Sequence, residues 1–466
     1  MTAKHCAHCS VELAKAMRCS QCKTVCYCSR ECQKQHWGSH KSQCKALALA
    51  LLATSPAAAT ESPFAEAAVV QTRGAAGWAH FVIDGKDFLA VANFFTSGPG
   101  RQPSMETDSS IFLVRATEDR KLQLTEVQSF RTVGAHGVVH FECSGHHYLS
   151  VPNYYGGDTL VLRWDRAASR FAELQRIKSE GGGGVDAFKL DDGRCMLAIA
   201  EFNVGIAALY ILQDGRFEPF QRIAAPGVGS IATLRVPADD GGEALLLLAS
   251  SYVTRQTGWR TRSPIFALNA QGSAFEAHDA VATIGAHDVE VLSAGGRHFA
   301  FYSNDKDERT TLQASELFEW VGTFPSGRFE SKQKVETDGA HAAALFASAD
   351  GKSHFLAVAN LGDRKSGKYR RDSVVYALDV ESRGGDMLTA VQKLPTLGAT
   401  DFSAFEMGGV TYLAVSNEQD DWLGGDVRSV IWGLRDGWGK KWREQSSDGK
   451  RAIATTPKES CSEELD

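Results

Sequence analysis

One short phrase recurs seven times along the chain and limits the fold more than any other feature. An apolar pair is followed by Ala-Val-Ala-Asn or a relative. The copies are Phe88-Leu-Ala-Val-Ala-Asn93, Tyr148-Leu-Ser-Val-Pro-Asn153, Met196-Leu-Ala-Ile-Ala-Glu201, a weak copy ending at Ser251, His298-Phe-Ala-Phe-Tyr-Ser-Asn304, Phe355-Leu-Ala-Val-Ala-Asn360 and Tyr412-Leu-Ala-Val-Ser-Asn417. Their last residues stand 60, 48, 50, 53, 56 and 57 positions apart. A unit of this length cannot bury its apolar faces alone, so repeated units must stack. Seven copies of about 54 residues predict a seven-bladed β-propeller.

Each unit carries four strand-like segments, as a blade requires. The first follows a Gly-Ala step: Gly134-Ala-His, Gly285-Ala-His-Asp, Gly339-Ala-His and Gly398-Ala-Thr-Asp. The second is the phrase itself. Third segments include Ser110-Ile-Phe-Leu-Val and Ser373-Val-Val-Tyr-Ala-Leu; fourth segments include Phe217-Glu-Pro-Phe-Gln-Arg-Ile and Phe329-Glu-Ser-Lys-Gln-Lys-Val. Residues 64–73 match a fourth segment but precede the first full unit, so they are expected to complete the last blade and remove an exposed sheet edge. The rival is a local strand over 442–446. Abundant glycine (44) and sparse proline (12) suit a fold made of tight turns.

The N-terminus has a different chemistry. Eight of the eleven cysteines lie before residue 45. They form a ladder of pairs: Cys6-x2-Cys9, Cys19-x2-Cys22, Cys28-x3-Cys32 and His40-x3-Cys44. A CxxC turn sets two sulfurs on one side of a tetrahedral ion, and the x3 spacings place ligands one helical turn apart. Eight ligands make two closed four-coordinate sites, so two Zn²⁺ ions are expected, structural because no position stays open for water. So short a segment builds little core, and metal binding should supply most of its folding energy. Cys26, His5, His8 and His36 are surplus to eight ligands and read as surface residues or hydrogen-bond partners of the ligands. Cys143, Cys195 and Cys461 are scattered, and the clustered thiols read as metal binding rather than a disulfide framework.

The ladder from Cys19 to Cys44 resembles the MYND family of zinc fingers. The resemblance implies interleaved pairing: Cys6, Cys9, Cys28 and Cys32 on one zinc, Cys19, Cys22, His40 and Cys44 on the other. It also implies binding of short, often proline-containing peptides. The peptide would add as a strand to the hairpin around Val25 and Tyr27, with Trp37 packing on it and Gln33 nearby. Trp37 covering the zinc core is the competing reading. The cofactor-binding motif of methyltransferases that carry such fingers is not found. The propeller units, over residues 64 to about 445, resemble the epilepsy-associated repeat, also called EAR or EPTP, which forms seven-bladed propellers. Known EAR proteins are mostly secreted or at the cell surface, a location that a reduced zinc finger without a signal pattern does not share.

The expected organisation is a finger over 1–45, a helical extension and linker over 46–63, the propeller over 64–445 and a disordered polar tail over 446–466. The net charge of −6 is uneven. Residues 1–45 carry eight Lys/Arg against two Glu, which two zincs and seven thiolates would reduce to about +3. So mild a charge argues against nucleic-acid binding. The longest apolar candidate is Ala46–Ala53, far short of a membrane span.

Loops after the second strands are the longest and are expected on one face, where binding residues gather. One carries Arg364, Lys365, Lys368, Arg370 and Arg371, and its neighbour Glu418, Asp420 and Asp421; solvated loops are the default reading. His136, His287 and His341 recur after Gly-Ala at the channel end of first strands and read as turn caps rather than catalysts. Related propellers can hold a cation in the central channel, which leaves a weak metal site there as an alternative; Asp288 and Asp401 share a register but supply too few oxygens for Ca²⁺, and solvated or hydrogen-bonded side chains are the default. No nucleophile elbow, phosphate loop or paired-carboxylate motif is present. The expectation is therefore a non-enzymatic scaffold inside the cell, cytoplasmic or nuclear, binding proteins or peptides rather than a small-molecule substrate. The alternative is an enzyme with its site in the propeller channel.

Overall fold

A computed structural model of the 466-residue chain describes residues 6, 8, 9, 11, 17–18, 26–36, 62–97, 102–421 and 424–438. The chain divides into two compact units, one of Met1–Ser62 with Ala454–Asp466 and the other of Pro63–Ile453.

In the first unit, β1 (Met17–Arg18) pairs antiparallel with β2 (Cys26–Tyr27). A short helical stretch follows over 30–36. Ser29 caps it: its Oγ accepts from the Cys32 amide at 3.2 Å, satisfying one of the free N–H groups that every helix start leaves.

The second unit is a ring of seven four-stranded antiparallel sheets. Its strands begin with β3 (Phe64–Gln71). Blade one is β4 (Ala75–Ile83), β5 (Lys86–Asn93), β6 (Glu106–Ala116) and β7 (Leu122–Val133). Blade two is β8 (Val139–Cys143), β9 (His146–Asn153), β10 (Asp158–Asp165) and β11 (Arg170–Lys178). Blade three is β12 (Gly182–Lys189), β13 (Cys195–Glu201), β14 (Ile206–Gln213) and β15 (Arg216–Ala224). Blade four, the weak repeat, is complete: β16 (Val228–Pro237), β17 (Glu243–Ser251), β18 (Arg260–Leu268) and β19 (Phe275–Ile284). Blade five is β20 (Ala286–Ala294), β21 (Arg297–Asn304), β22 (Leu312–Val321) and β23 (Arg328–Asp338). Blade six is β24 (Ala340–Ala347), β25 (His354–Asn360), β26 (Arg370–Leu378) and β27 (Leu388–Leu397). Blade seven is β28 (Ala399–Met407), β29 (Val410–Asn417), β30 (Arg428–Leu434) and, as inferred, β3. The rival segment 442–446 lies outside the described residues.

The recurring phrase is the second strand of each blade, and the ring explains why it is mostly apolar. Side chains alternate faces along a strand. In β5, Leu89 and Val91 pack toward blade seven, while Phe88, Ala90 and Ala92 pack toward blade two. Both faces are interior, so neither can be polar. The terminal asparagine ties strands together. The Asn360 side chain donates to the Asp372 carbonyl at 2.9 Å and accepts from the Asp338 amide at 3.3 Å; Asn304 and Asn417 do the same at their blades.

A glutamine on the fourth strand joins neighbouring blades. Gln128, Gln175 and Gln221 each exchange two hydrogen bonds with the backbone of Phe171, Phe217 and Phe275 on the next blade. Gln392 holds the Phe64 backbone in the same way, at 2.8 and 3.0 Å, which fixes β3 as the outer strand of blade seven. Glycine with positive φ starts the first strands. Gly285 is one: a Cβ there would lie 2.2 Å from the Lys306 carbonyl oxygen, so no larger residue fits.

Two of the scattered cysteines form a pair that the sequence reading did not anticipate. Cys143 at the end of β8 and Cys195 at the start of β13 form a disulfide between blades two and three. They are 52 residues apart in sequence and meet only because adjacent blades align their strand ends.

Candidate functional site

Four of the eight expected ligands fall in the described part of the finger, and they converge. The sulfurs of Cys6, Cys9, Cys28 and Cys32 all lie within 4.8 Å of one another. Cys9 and Cys28 are 3.5 Å apart, and Cys28 and Cys32 3.4 Å. The set draws on two separated pairs, the interleaving that the MYND resemblance implies. Its chemistry suits a thiophilic dication. Backbone N–H groups, first that of Cys9, lower the Cys6 thiol to about 6. Crowding by the sulfurs of Cys32 and Cys9 pushes Cys28 up to about 12. So many thiolates cannot all ionise at this spacing without a cation among them. Cys19, Cys22, His40 and Cys44 lie outside the described residues.

Of the four residues expected to meet a peptide, Trp37 and Val25 lie outside the described residues. Gln33 is half-buried on the helical stretch. Tyr27 is fully buried and its hydroxyl lies 3.1 Å from His36 Nδ1, so its ring packs inside the finger. His36, surplus as a ligand, makes that hydrogen bond.

The ring holds a cavity of about 460 Å³ along its axis, lined by first strands. Two layers of titratable groups face it. One is acidic: Asp186, Asp288, Glu290 and Asp401. Burial pushes Asp401 up to about 7, with the charge of Asp288 adding, and Asp186 up to about 6. Glu290 rises well above its usual range, first by burial and then by Asp288, Asp401 and Asp186. The other layer is His136, His287 and His341, whose ring nitrogens approach within 4.8 Å. Burial, then the Arg364 charge, lowers His136 to about 4; His287 and His341 fall well below the ordinary range, by burial first and then by the neighbouring histidines and Arg364. All three are neutral near pH 7. The turn-cap reading is therefore corrected, since the rings meet across the channel instead of closing their own turns. Asp186 and Glu290 were missed because neither shares a repeated motif.

The charged loops are not free solvated segments. Arg364 pairs with Glu418 at 2.9 Å and Arg370 with Asp420 at 2.7 Å, while Arg371 reaches Asp338 at 2.6 Å. Two adjacent blades thus zip their loops together, and the Arg364 charge is felt by all three channel histidines.

Residues 6–44 match the MYND finger family and residues 64–112 the EPTP domain family. The human thrombospondin-type laminin G domain and EAR repeat-containing protein is 28% identical over 277 residues, 56% of this chain and 40% of that protein. The chain thus spans less than half the length of this curated relative. Human histone-lysine N-methyltransferase SMYD3 is 50% identical over 42 residues, 9% of this chain and 10% of that enzyme. A Pseudomonas aeruginosa periplasmic gluconolactonase is similar with a TM-score of 0.46 and 19% identity, covering 70% of this chain and 95% of that one; a likeness at this level carries no functional meaning. No helix among the described residues is long and apolar enough to cross a membrane.

Proposed function

For a chain that joins a MYND-type zinc finger to an EAR-repeat propeller, we propose the role of an interaction scaffold. The finger, residues 1–45, captures a short proline-containing peptide, and the propeller, residues 64–445, engages a second partner. The observation that carries this reading is the closed cluster of Cys6, Cys9, Cys28 and Cys32. Four sulfurs fill a tetrahedral ion and leave no position for substrate, so the metal shapes a surface instead of performing chemistry. A second ion on Cys19, Cys22, His40 and Cys44 completes the proposal. The peptide adds to the hairpin edge, reading the backbone of Tyr27 rather than its buried ring, with Trp37 and Gln33 supplying side-chain contacts.

The same proposal places the protein inside the cell, where reducing conditions keep the finger's sulfurs available for metal. The Cys143–Cys195 disulfide favours a second reading, an oxidising compartment, where such bonds persist.

The test is Trp37→Ala in the full chain. Affinity for proline-containing peptides should fall about 10–30-fold, the loss typical of an aromatic anchor, with zinc content unchanged. Unaltered affinity would remove the groove from consideration.

A further inference from the structure

We propose that His136, His287 and His341 form a second kind of metal site, separate from the finger, for a divalent transition ion of the zinc class. The argument starts from backbone geometry. In blade five the pairing register shifts between Ala286 and Asp288, and in blade six between Ala340 and Ala342. His287 and His341 are the extra residues at these bulges. His136 follows the corresponding bridge between Ala135 and Asn153 in blade two. A bulge re-aims a side chain out of the pleat, and here three such side chains point to one place on the axis.

The remaining blades leave room for them. The corresponding positions hold Ala76, Gly183, Gly229 and Thr400. A Cβ on Gly229 would lie 2.5 Å from the His287 carbonyl oxygen, so the strands close in only because that position is glycine.

A second observation points to a ligand. His341 is 4% exposed, and its Nε2 has no hydrogen-bond partner. Its Nδ1 lies 2.9 Å from the Thr400 carbonyl oxygen, which can only accept, so Nδ1 carries the proton and Nε2 presents a lone pair. A backbone carbonyl fixing the tautomer from behind is the usual support of a metal-bound imidazole. A buried polar atom left without a partner otherwise costs stability.

The donor set selects the ion. Imidazole nitrogens without oxygen donors suit Zn²⁺, Cu²⁺, Ni²⁺ or Co²⁺ and disfavour Ca²⁺ and Mg²⁺. The rings of His287 and His341 lie with centroids 3.6 Å apart, and those of His136 and His341 5.9 Å apart. The ring nitrogens of all three already lie within 4.8 Å of one another, and binding zinc requires their rotation to the 2.0–2.1 Å of a Zn–N bond. Arg364 opposes a cation here, but Glu418 pairs with it at 2.9 Å. Three protein ligands leave one coordination position facing the channel, unlike the closed finger.

The probe is the metal alone, Zn²⁺ or Co²⁺, added to the full-length protein after exhaustive chelation. Reconstituted wild type should hold about one equivalent more than His136→Ala, His287→Ala or His341→Ala. The extra Co²⁺ should show visible ligand-field bands without added thiolate charge-transfer absorption, because no sulfur binds it. His136→Ala and His287→Ala change half-buried side chains and His341→Ala a buried one, and the propeller's melting transition verifies folding in each case. If His341→Ala does not fold, the other two variants and the wild-type Co²⁺ spectrum still decide. Equal metal content in folded variants and wild type, or an extra ion bound through sulfur, overturns the site.

Discussion

The finger and the propeller solve the same problem, holding a chain in one shape, by opposite means. The propeller closes on itself. Its apolar second strands are buried on both faces between blades, and its outer strands are linked blade to blade by glutamine clasps. The finger has Tyr27 and Cys6 as its described buried apolar residues, and its convergent groups are sulfurs. A large fold derives stability from area removed from water; a small one must take it from an ion. The stability of one part therefore depends on solvent, and that of the other on metal supply.

The sharpest way to break this comparison is to remove metal. Chelation, or Cys28→Ala, should abolish the folded finger outright, since structural zinc contributes on the order of 10 kcal/mol or more in such modules. The propeller's main melting transition should persist, and calorimetry with and without chelator checks this. Simultaneous loss of both would show that the two units are one cooperative structure.

Reductant should act on the two parts in opposite directions. Opening Cys143–Cys195 releases a cross-link across 52 residues and should cost the oxidised propeller about 2–4 kcal/mol. The same reductant protects the finger's thiols. Thermal melts of oxidised protein, with Cys195→Ala as control, read the propeller effect, and thiol titration reads the finger.

A third effect concerns the acidic layer. Burial holds Asp401 at about 7, against an ordinary value of 3.8. A carboxyl raised on folding favours the folded state fully below its unfolded value, and that benefit is lost as pH rises through the folded value. Asp401→Asn should thus leave melting unchanged near pH 4 and raise it relative to wild type by pH 8. Paired melts in chelator across this range test it; a constant difference would mean that Asp401 does not titrate there.

Much of the architecture was legible because it is periodic. Phe355-Leu-Ala-Val-Ala-Asn360 announces a strand buried on both sides, and the unmatched fourth strand at 64–73 announces how the ring closes. The cysteine ladder is legible because ligand spacing is local. The channel was not, because its residues come from different blades and meet only once the ring forms. His136, His287 and His341 share a Gly-Ala prefix, but nothing in that prefix says that the backbone bulges and turns the ring inward. Cys143 and Cys195 likewise lie in unrelated local contexts, and only the alignment of adjacent blades brings them together.

The clasp that closes the ring sets an order on synthesis. Thr72, beside β3, bonds Ser429 on β30 at 2.9 Å across 357 residues of chain. At 5–20 residues per second the ribosome delivers that partner about 20–70 s after β3 emerges. Throughout that interval Phe64, Ala67 and Val70 have no blade to join, so the nascent protein carries a sticky strand whose sheltering by a chaperone, or capture by a neighbouring chain, decides the yield of closed rings.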